Sequence, residues 1–243
     1  MSLNILLAST SKVYGTSYLS YLSDEIQQLF KDSDEVLFIP FARPGGISYS
    51  EYTKKAKMFF QSIDKDCVSI TSFHKPEKAI EKADAIFTGG GNTFLLLKTL
   101  YELKLINPLR DKLEQACPYL GTSAGSNICG QHIKTTNDMP IVYPPSFDAL
   151  GLVPYVINPH FIDKQEGEKH QGESRSTRLN EYLTQNKIPV VALPEGSWIR
   201  VNQGQHKLEG EQTALLFRLD TTREIRPGTD ILQVIKSSKT SPE

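Results

Sequence analysis

Short aliphatic or β-branched runs alternate along this chain with stretches whose apolar residues return every three or four positions. Asn4–Ala8 predicts a first strand, and Tyr18–Phe30 a helix with Leu19, Leu22, Ile26 and Leu29 along one face. Val36–Pro40 predicts a second strand, Glu51–Ile63 a second helix and Val68–Ser72 a third strand. Pro76–Ala83 predicts a short helix opened by proline, whose missing N–H is no loss at the first helical position. Ala85–Thr88 predicts a fourth strand. After the glycines at 89 to 91 come helices over Thr93–Tyr101 and Pro108–Ala116, then a strand from Cys117 to Leu120. Repeated βα units predict a mostly parallel sheet with helices on both faces.

From about Tyr155 the texture changes. Tyr155–Asn158, Val190–Leu193, Trp198–Val201 and Ala214–Arg218 predict strands joined mostly by short turns, with Ser174–Gln185 helical between them. The fold class is therefore α/β, with antiparallel strands added toward the C-terminus. With no internal repeat or low-complexity linker, residues 1–235 are expected to form one catalytic-size domain, and the polar residues 236–243 a frayed tail.

Composition narrows the function. The formal net charge is -1, and no basic stripe is present to neutralise phosphates, so nucleic acid is not an expected partner. No apolar run approaches the ~20 residues that span a bilayer, so no membrane is expected either. Met1–Leu7 lacks a basic flank and reads as the first strand rather than a signal peptide. Cys67, Cys117 and Cys129 are an odd number without C-x-x-C spacing, which favours a reducing cytoplasm over a disulfide framework or a thiolate metal site. The five histidines include no H-E-x-x-H, so neither metal nor cofactor is expected.

The chemistry concentrates at Gly121-Thr122-Ser123-Ala124-Gly125, a G-x-S-x-G between the strand ending at Leu120 and a small-residue segment, Ala124–Gly130, able to open a helix. Strand, sharp turn and helix with serine at the apex make a nucleophile elbow, and glycines two before and two after the serine let the turn close. A serine hydroxyl needs a base, and the base an orienting acid. His160, in Ile157-Asn158-Pro159-His160-Phe161, stands at the C-terminal end of a predicted strand, the rim where parallel sheets carry their sites. His132 is one helix away, and His74, His170 and His206 lie in polar stretches expected to be solvated. Two carboxylates compete for the third place: Asp138, in Thr135-Thr136-Asn137-Asp138, and Glu195, in Leu193-Pro194-Glu195-Gly196. Asp148 and Asp163 are weaker. Gly89-Gly90-Gly91-Asn92-Thr93 matches neither a dinucleotide fingerprint nor a P-loop; an oxyanion loop, with the N–H groups of Gly91 and Ala124 as donors, accounts for it better.

Taken together, Gly89–Phe94, the Ser123 elbow, Ile133–Pro140, Ile157–Phe161 and Leu193–Trp198 resemble peptidase E, the α-aspartyl dipeptidase family related to cyanophycinase. The resemblance runs from about Asn4 to Phe217. It implies a flavodoxin-like sheet akin to class I glutamine amidotransferases, with serine in place of their cysteine, and cleavage of dipeptides that carry an N-terminal aspartate. It assigns Ser123 as nucleophile and His160 as base, and leaves the acid open between Asp138 and Glu195. Asn92 and Arg175 are the expected substrate-binding residues. A guanidinium suits the aspartyl carboxylate because it binds bidentately; Arg43, Arg178 and Arg200 are weaker candidates. The expected partners are a small peptide and, as an assembly, a second copy of the chain. An amidohydrolase or esterase acting on a non-peptide substrate, or a non-catalytic binding relative, are the competing readings.

Overall fold

The computed structural model describes residues 3–162 and 172–237. In chain order it holds β1 (Asn4–Ala8), α1 (Ser23–Leu29), β2 (Glu35–Ile39), α2 (Tyr49–Gln61), β3 (Asp66–Ser69), α3 (Pro76–Lys82), β4 (Ile86–Thr88), α4 (Thr93–Glu102), α5 (Ile106–Glu114), β5 (Tyr119–Thr122) and α6 (Ala124–Asn127). Then follow β6 (Val156–Pro159), α7 (Arg175–Gln185), β7 (Val190–Leu193), β8 (Ser197–Asn202), β9 (Gln205–Gly210), β10 (Ala214–Arg218), β11 (Thr221–Ile225) and α8 (Ile231–Ser237).

The strands form two sheets. A seven-stranded sheet has the order β3-β2-β4-β5-β1-β8-β9, and a four-stranded sheet the order β11-β10-β7-β6. Strands β3, β2, β4, β5 and β1 are mutually parallel, while β8 pairs antiparallel with β1 and β9 antiparallel with β8. In the second sheet β6 and β7 are parallel, and β10 and β11 antiparallel. The parallel α/β sheet with antiparallel additions is thus present, and the additions are of both kinds. Alternation along β1 divides the core: Ile5 and Leu7 pack with α4, α5 and the inner faces of β6, β7 and β10. Leu6 and Ala8 point the other way, toward α1 and α2.

Several expectations change. The helix expected over Tyr18–Phe30 is only Ser23–Leu29, preceded by a 3₁₀ turn at Ser20–Leu22. Leu19 has φ 60 and its N–H bonds back to Ser11 O, a conformation that no right-handed helix accommodates. Strand β3 stops at Ser69 because the Ser69 hydroxyl accepts from Thr71 N–H and starts a 3₁₀ turn. Strands β9 and β11, which carry few apolar residues, were not anticipated; β9 follows a two-residue turn whose Gln203 and Gly204 both have positive φ, the hairpin type that matches strand twist. Helix α8 runs to Ser237, so Lys236 and Ser237 are helical rather than frayed, and residues 238–243 lie outside the described residues.

His206, expected in solvent, is 6% exposed and its Nδ1 lies 3.0 Å from Tyr155 Oη. Burial holds the pKa of both His206 and His132 below the usual imidazole value. The unfolded chain takes up protons at these two residues below about pH 6.5, where the folded one resists them, so acidification favours unfolding. We expect a lower Tm at pH 5.5 than at 7.5, and a smaller difference when both are replaced by asparagine, which does not titrate. An equal difference in the double variant would remove these histidines from the acid response.

Candidate active site

Ser123 follows β5 directly and has φ 53, ψ −110, outside the basins open to L-residues. Such a backbone costs about 1–3 kcal/mol and persists only where its surroundings hold it. Here Ser123 N–H donates to Ala8 O at 3.0 Å, and its carbonyl accepts from the N–H groups of Ser126 (3.0 Å) and Asn127 (2.9 Å). The Ser126 hydroxyl, 2.6 Å from Ala8 O and 2.8 Å from Gly121 O, fastens α6 to the ends of β1 and β5. Gly125 admits no side chain, because a Cβ there would collide with Thr88 O of β4; one at Gly121 would come 2.6 Å from Gly125 O. Both glycines of the pentapeptide thus let α6 sit down on the strand ends.

His160 follows β6 and also has positive φ, 53. Its Nε2 lies 2.8 Å from Ser123 Oγ, and its Nδ1 2.6 Å from Glu195 Oε1. With Nδ1–H donating to the carboxylate, Nε2 is left as the acceptor for the serine proton. Glu195 stands two residues past β7, in a turn closed by Ser197 N–H on Pro194 O. The His160 and Glu195 side chains are 34% and 43% exposed, so the array opens to solvent on one side. Three amides brace β6 beneath it: Asn127 Nδ2 donates to Ile157 O, Asn137 Nδ2 to Pro159 O, and Asn158 Nδ2 to Thr135 O.

Asp138 is elsewhere. Its Oδ2 accepts from Thr93 N–H at 2.7 Å and from the Thr136 hydroxyl at 3.1 Å, at the positive end of α4, and no contact joins it to His160. Asn92 is likewise occupied: Oδ1 caps α4 by accepting from Leu95 N–H, and Nδ2 donates to Met139 O. Through these bonds the two residues seat α4 and the loop before it. His132 bonds Lys134 N–H and Tyr182 Oη, away from the array; the Asp148 main chain bridges to His132; Asp163 and His170 lie outside the described residues.

The glycine turn after β4 lies against the serine, since a Cβ on Gly90 would be 3.0 Å from Ser123 Cβ. Gly89 N–H donates to Ile39 O and Asn92 N–H to Ala42 O, so the turn is anchored at both ends with Gly90 and Gly91 between. Gly91 has φ 146, which only glycine adopts readily, and a Cβ there would strike Ala42 O. Ala124, as the first residue of α6, has an N–H with no acceptor inside its helix.

Arg175 opens α7, with Ser174 as the capping residue. Its Nη1 is buried without a hydrogen-bond partner among the described residues. Burial lowers its pKa, and the field of the Glu195 carboxylate opposes that shift. Arg43 stacks 4.3 Å over the Tyr52 ring, and its Nε is buried without a partner among the described residues. Arg178 pairs with Glu173, and Arg200 is spent on Ile5 O, Val201 O and Asn4 Oδ1. Among the described residues no group of three or more His, Cys, Asp or Glu could hold a metal ion, and no helix is long and apolar enough to cross a membrane.

The pattern of peptidase family S51 matches residues 5–209. The chain belongs to peptidase family S51. It is 41% identical over 232 residues to a probable alpha-aspartyl dipeptidase of Drosophila melanogaster, covering 94% of this chain and 95% of the relative. It is 44% identical over 221 residues to peptidase E of Haemophilus influenzae, covering 88% and 99%. In fold it is similar to a putative peptidase E of Listeria monocytogenes EGD-e (TM-score 0.66, 18% identity, 87% of this chain and 100% of the other). A peptidase from an acI-B1 Actinobacterium has the same kind of fold (TM-score 0.71, 16% identity, 95% and 97%).

Proposed function

We propose that this S51 peptidase hydrolyses dipeptides with an N-terminal L-aspartate through an acyl-enzyme on Ser123. The observation that carries the reading is the continuous Ser123–His160–Glu195 hydrogen-bond array on a strained elbow, with spacings of 2.8 and 2.6 Å. His160 Nε2 takes the Ser123 proton as Oγ attacks the aspartyl carbonyl carbon, and the Glu195 carboxylate stabilises the imidazolium that forms. The N–H groups of Gly91 and Ala124 receive the negative oxygen. Collapse returns the proton to the leaving amine and releases X; water, activated by the same histidine, then attacks the acyl ester and frees aspartate and Ser123. No step calls for a metal or cofactor. The three free, buried thiols fit a reducing cytoplasm.

Arg175 is our reader of the aspartyl side chain: a buried guanidinium N–H without a partner among the described residues, in the field of Glu195, matches a carboxylate. A hydrogen bond to a charged group is worth about 1.5–3 kcal/mol, so Arg175→Ala should raise KM for Asp-Leu by roughly 10- to 150-fold. Tm should fall little, because no hydrogen bond of Arg175 Nη1 to a described residue is lost. Unchanged kinetics would transfer the role to another cation, first of all Arg43. Hydrolysis of an Asp-X, Glu-X, Asn-X and N-acetyl-Asp-X panel tests the reading as a whole. Asp-X alone should turn over well; indifference to the side-chain charge, or preference for a non-peptide amide or ester, would overturn it.

A further inference from the structure

The catalytic array draws on both sheets. Ser123 hangs from β5 of the seven-stranded sheet, whereas His160 and Glu195 follow β6 and β7 of the four-stranded one, and among the described strands no ladder joins the two sheets. Something at this end must hold the sheets in register. Ser9, the residue after β1, occupies the junction. Its N–H donates to Ser197 O at 3.0 Å, within the first sheet, and the preceding carbonyl, Ala8 O, receives Ser123 N–H at 3.0 Å. Its hydroxyl reaches the second sheet: Oγ accepts His160 N–H at 2.8 Å and donates to Leu193 O at 2.8 Å. Ser9 is fully buried. Both hydrogen-bonding capacities of one hydroxyl are therefore spent on the main chain that leads to the base and to the acid, while the adjoining peptide holds the nucleophile.

We propose that Ser9 is a positioning residue that sets the His160 ring over Ser123, an inference that rests on the triad reading above. Alanine at position 9 leaves His160 N–H without an acceptor at a positive-φ residue, and leaves Leu193 O with only Phe161 N–H at 3.1 Å. A shift of the base by about 1 Å costs on the order of 100-fold in rate.

The test compares Ser9→Ala with Ser33→Ala. Ser33 also loses a hydroxyl-to-carbonyl bond, a part-buried one (3.2 Å to Asp84 O), but lies at the opposite, N-terminal ends of β2 and β4. Both variants should lower Tm, Ser9→Ala by more, since it gives up two hydroxyl bonds and Ser33→Ala one. Only Ser9→Ala should lower kcat on Asp-Leu, by about 10- to 100-fold, with KM little changed and fluorophosphonate labelling of Ser123 slowed in parallel. If Ser9→Ala does not fold, Ser9→Cys, close in shape and a weak hydrogen bonder, takes its place with the same expectation. A kcat within twofold of wild type, or an equal fall in the Ser33 variant, overturns the proposal. Ser123→Ala is run alongside: if it stays active, the triad reading has failed, and not the Ser9 joint alone.

Discussion

Ser123→Ala should lose about 10⁶-fold in turnover of Asp-Leu while binding it as wild type does, since only oxyanion stabilisation and positioning survive loss of a triad nucleophile. The variant should also fold normally. Ser123 Oγ has one described partner, His160 Nε2, and the strained backbone is held by bonds from the main chain and from Ser126, which alanine leaves in place. Calorimetric binding of Asp-Leu beside a stopped assay for free aspartate separates the two effects. A residual rate above about a tenth of wild type would take Ser123 out of the chemistry. Fluorophosphonate labelling of the unaltered protein adds a second check, because a serine in a mere binding relative is not activated and does not react.

Much of this site is legible in the sequence because its parts stand at strand ends with local punctuation. Ser123 lies between Gly121 and Gly125 after an apolar run; His160 follows Asn158-Pro159; Glu195 sits between Pro194 and Gly196. What a linear pattern does not carry is the placement of one sheet against another. Glu195 and Asp138 each look like an acid on a loop near the rim, and only the parallel β6–β7 pairing, Pro159 opposite Leu193, brings residue 195 to residue 160. Asn92 shows a local signal outweighed by a resemblance: an Asn directly before Thr-Phe-Leu-Leu-Leu is a helix cap, and its side chain is used as one. Ser9 carried no signal beyond its place after the first strand. The missed β9 and β11 are largely polar, and β11 lies at a sheet edge with its first four residues exposed, where burial imposes little pattern.

The second large effect belongs to Glu195→Gln, which should lower kcat by about 10⁴-fold with the fold intact, the loss expected when an amide replaces the carboxylate that holds the triad histidine. The amide can turn its NH₂ toward Nδ1, favouring the tautomer with the proton on Nε2, which cannot accept from Ser123. It also removes the charge that balances the imidazolium. Asp138→Asn is the contrasting case. Its remaining oxygen can still accept from Thr93 N–H, so the variant gives up mainly a charge at the N-terminus of α4, worth about 0.3–1 kcal/mol. We expect a small fall in Tm and less than about a tenfold change in kcat. The opposite ranking, with Asp138→Asn nearly dead and Glu195→Gln active, would mean that the 2.6 Å contact to His160 Nδ1 is not the one used in catalysis. Near wild-type turnover in both would mean that no carboxylate completes the array, and the acyl-enzyme reading would then have to rest on Ser123 and His160 alone.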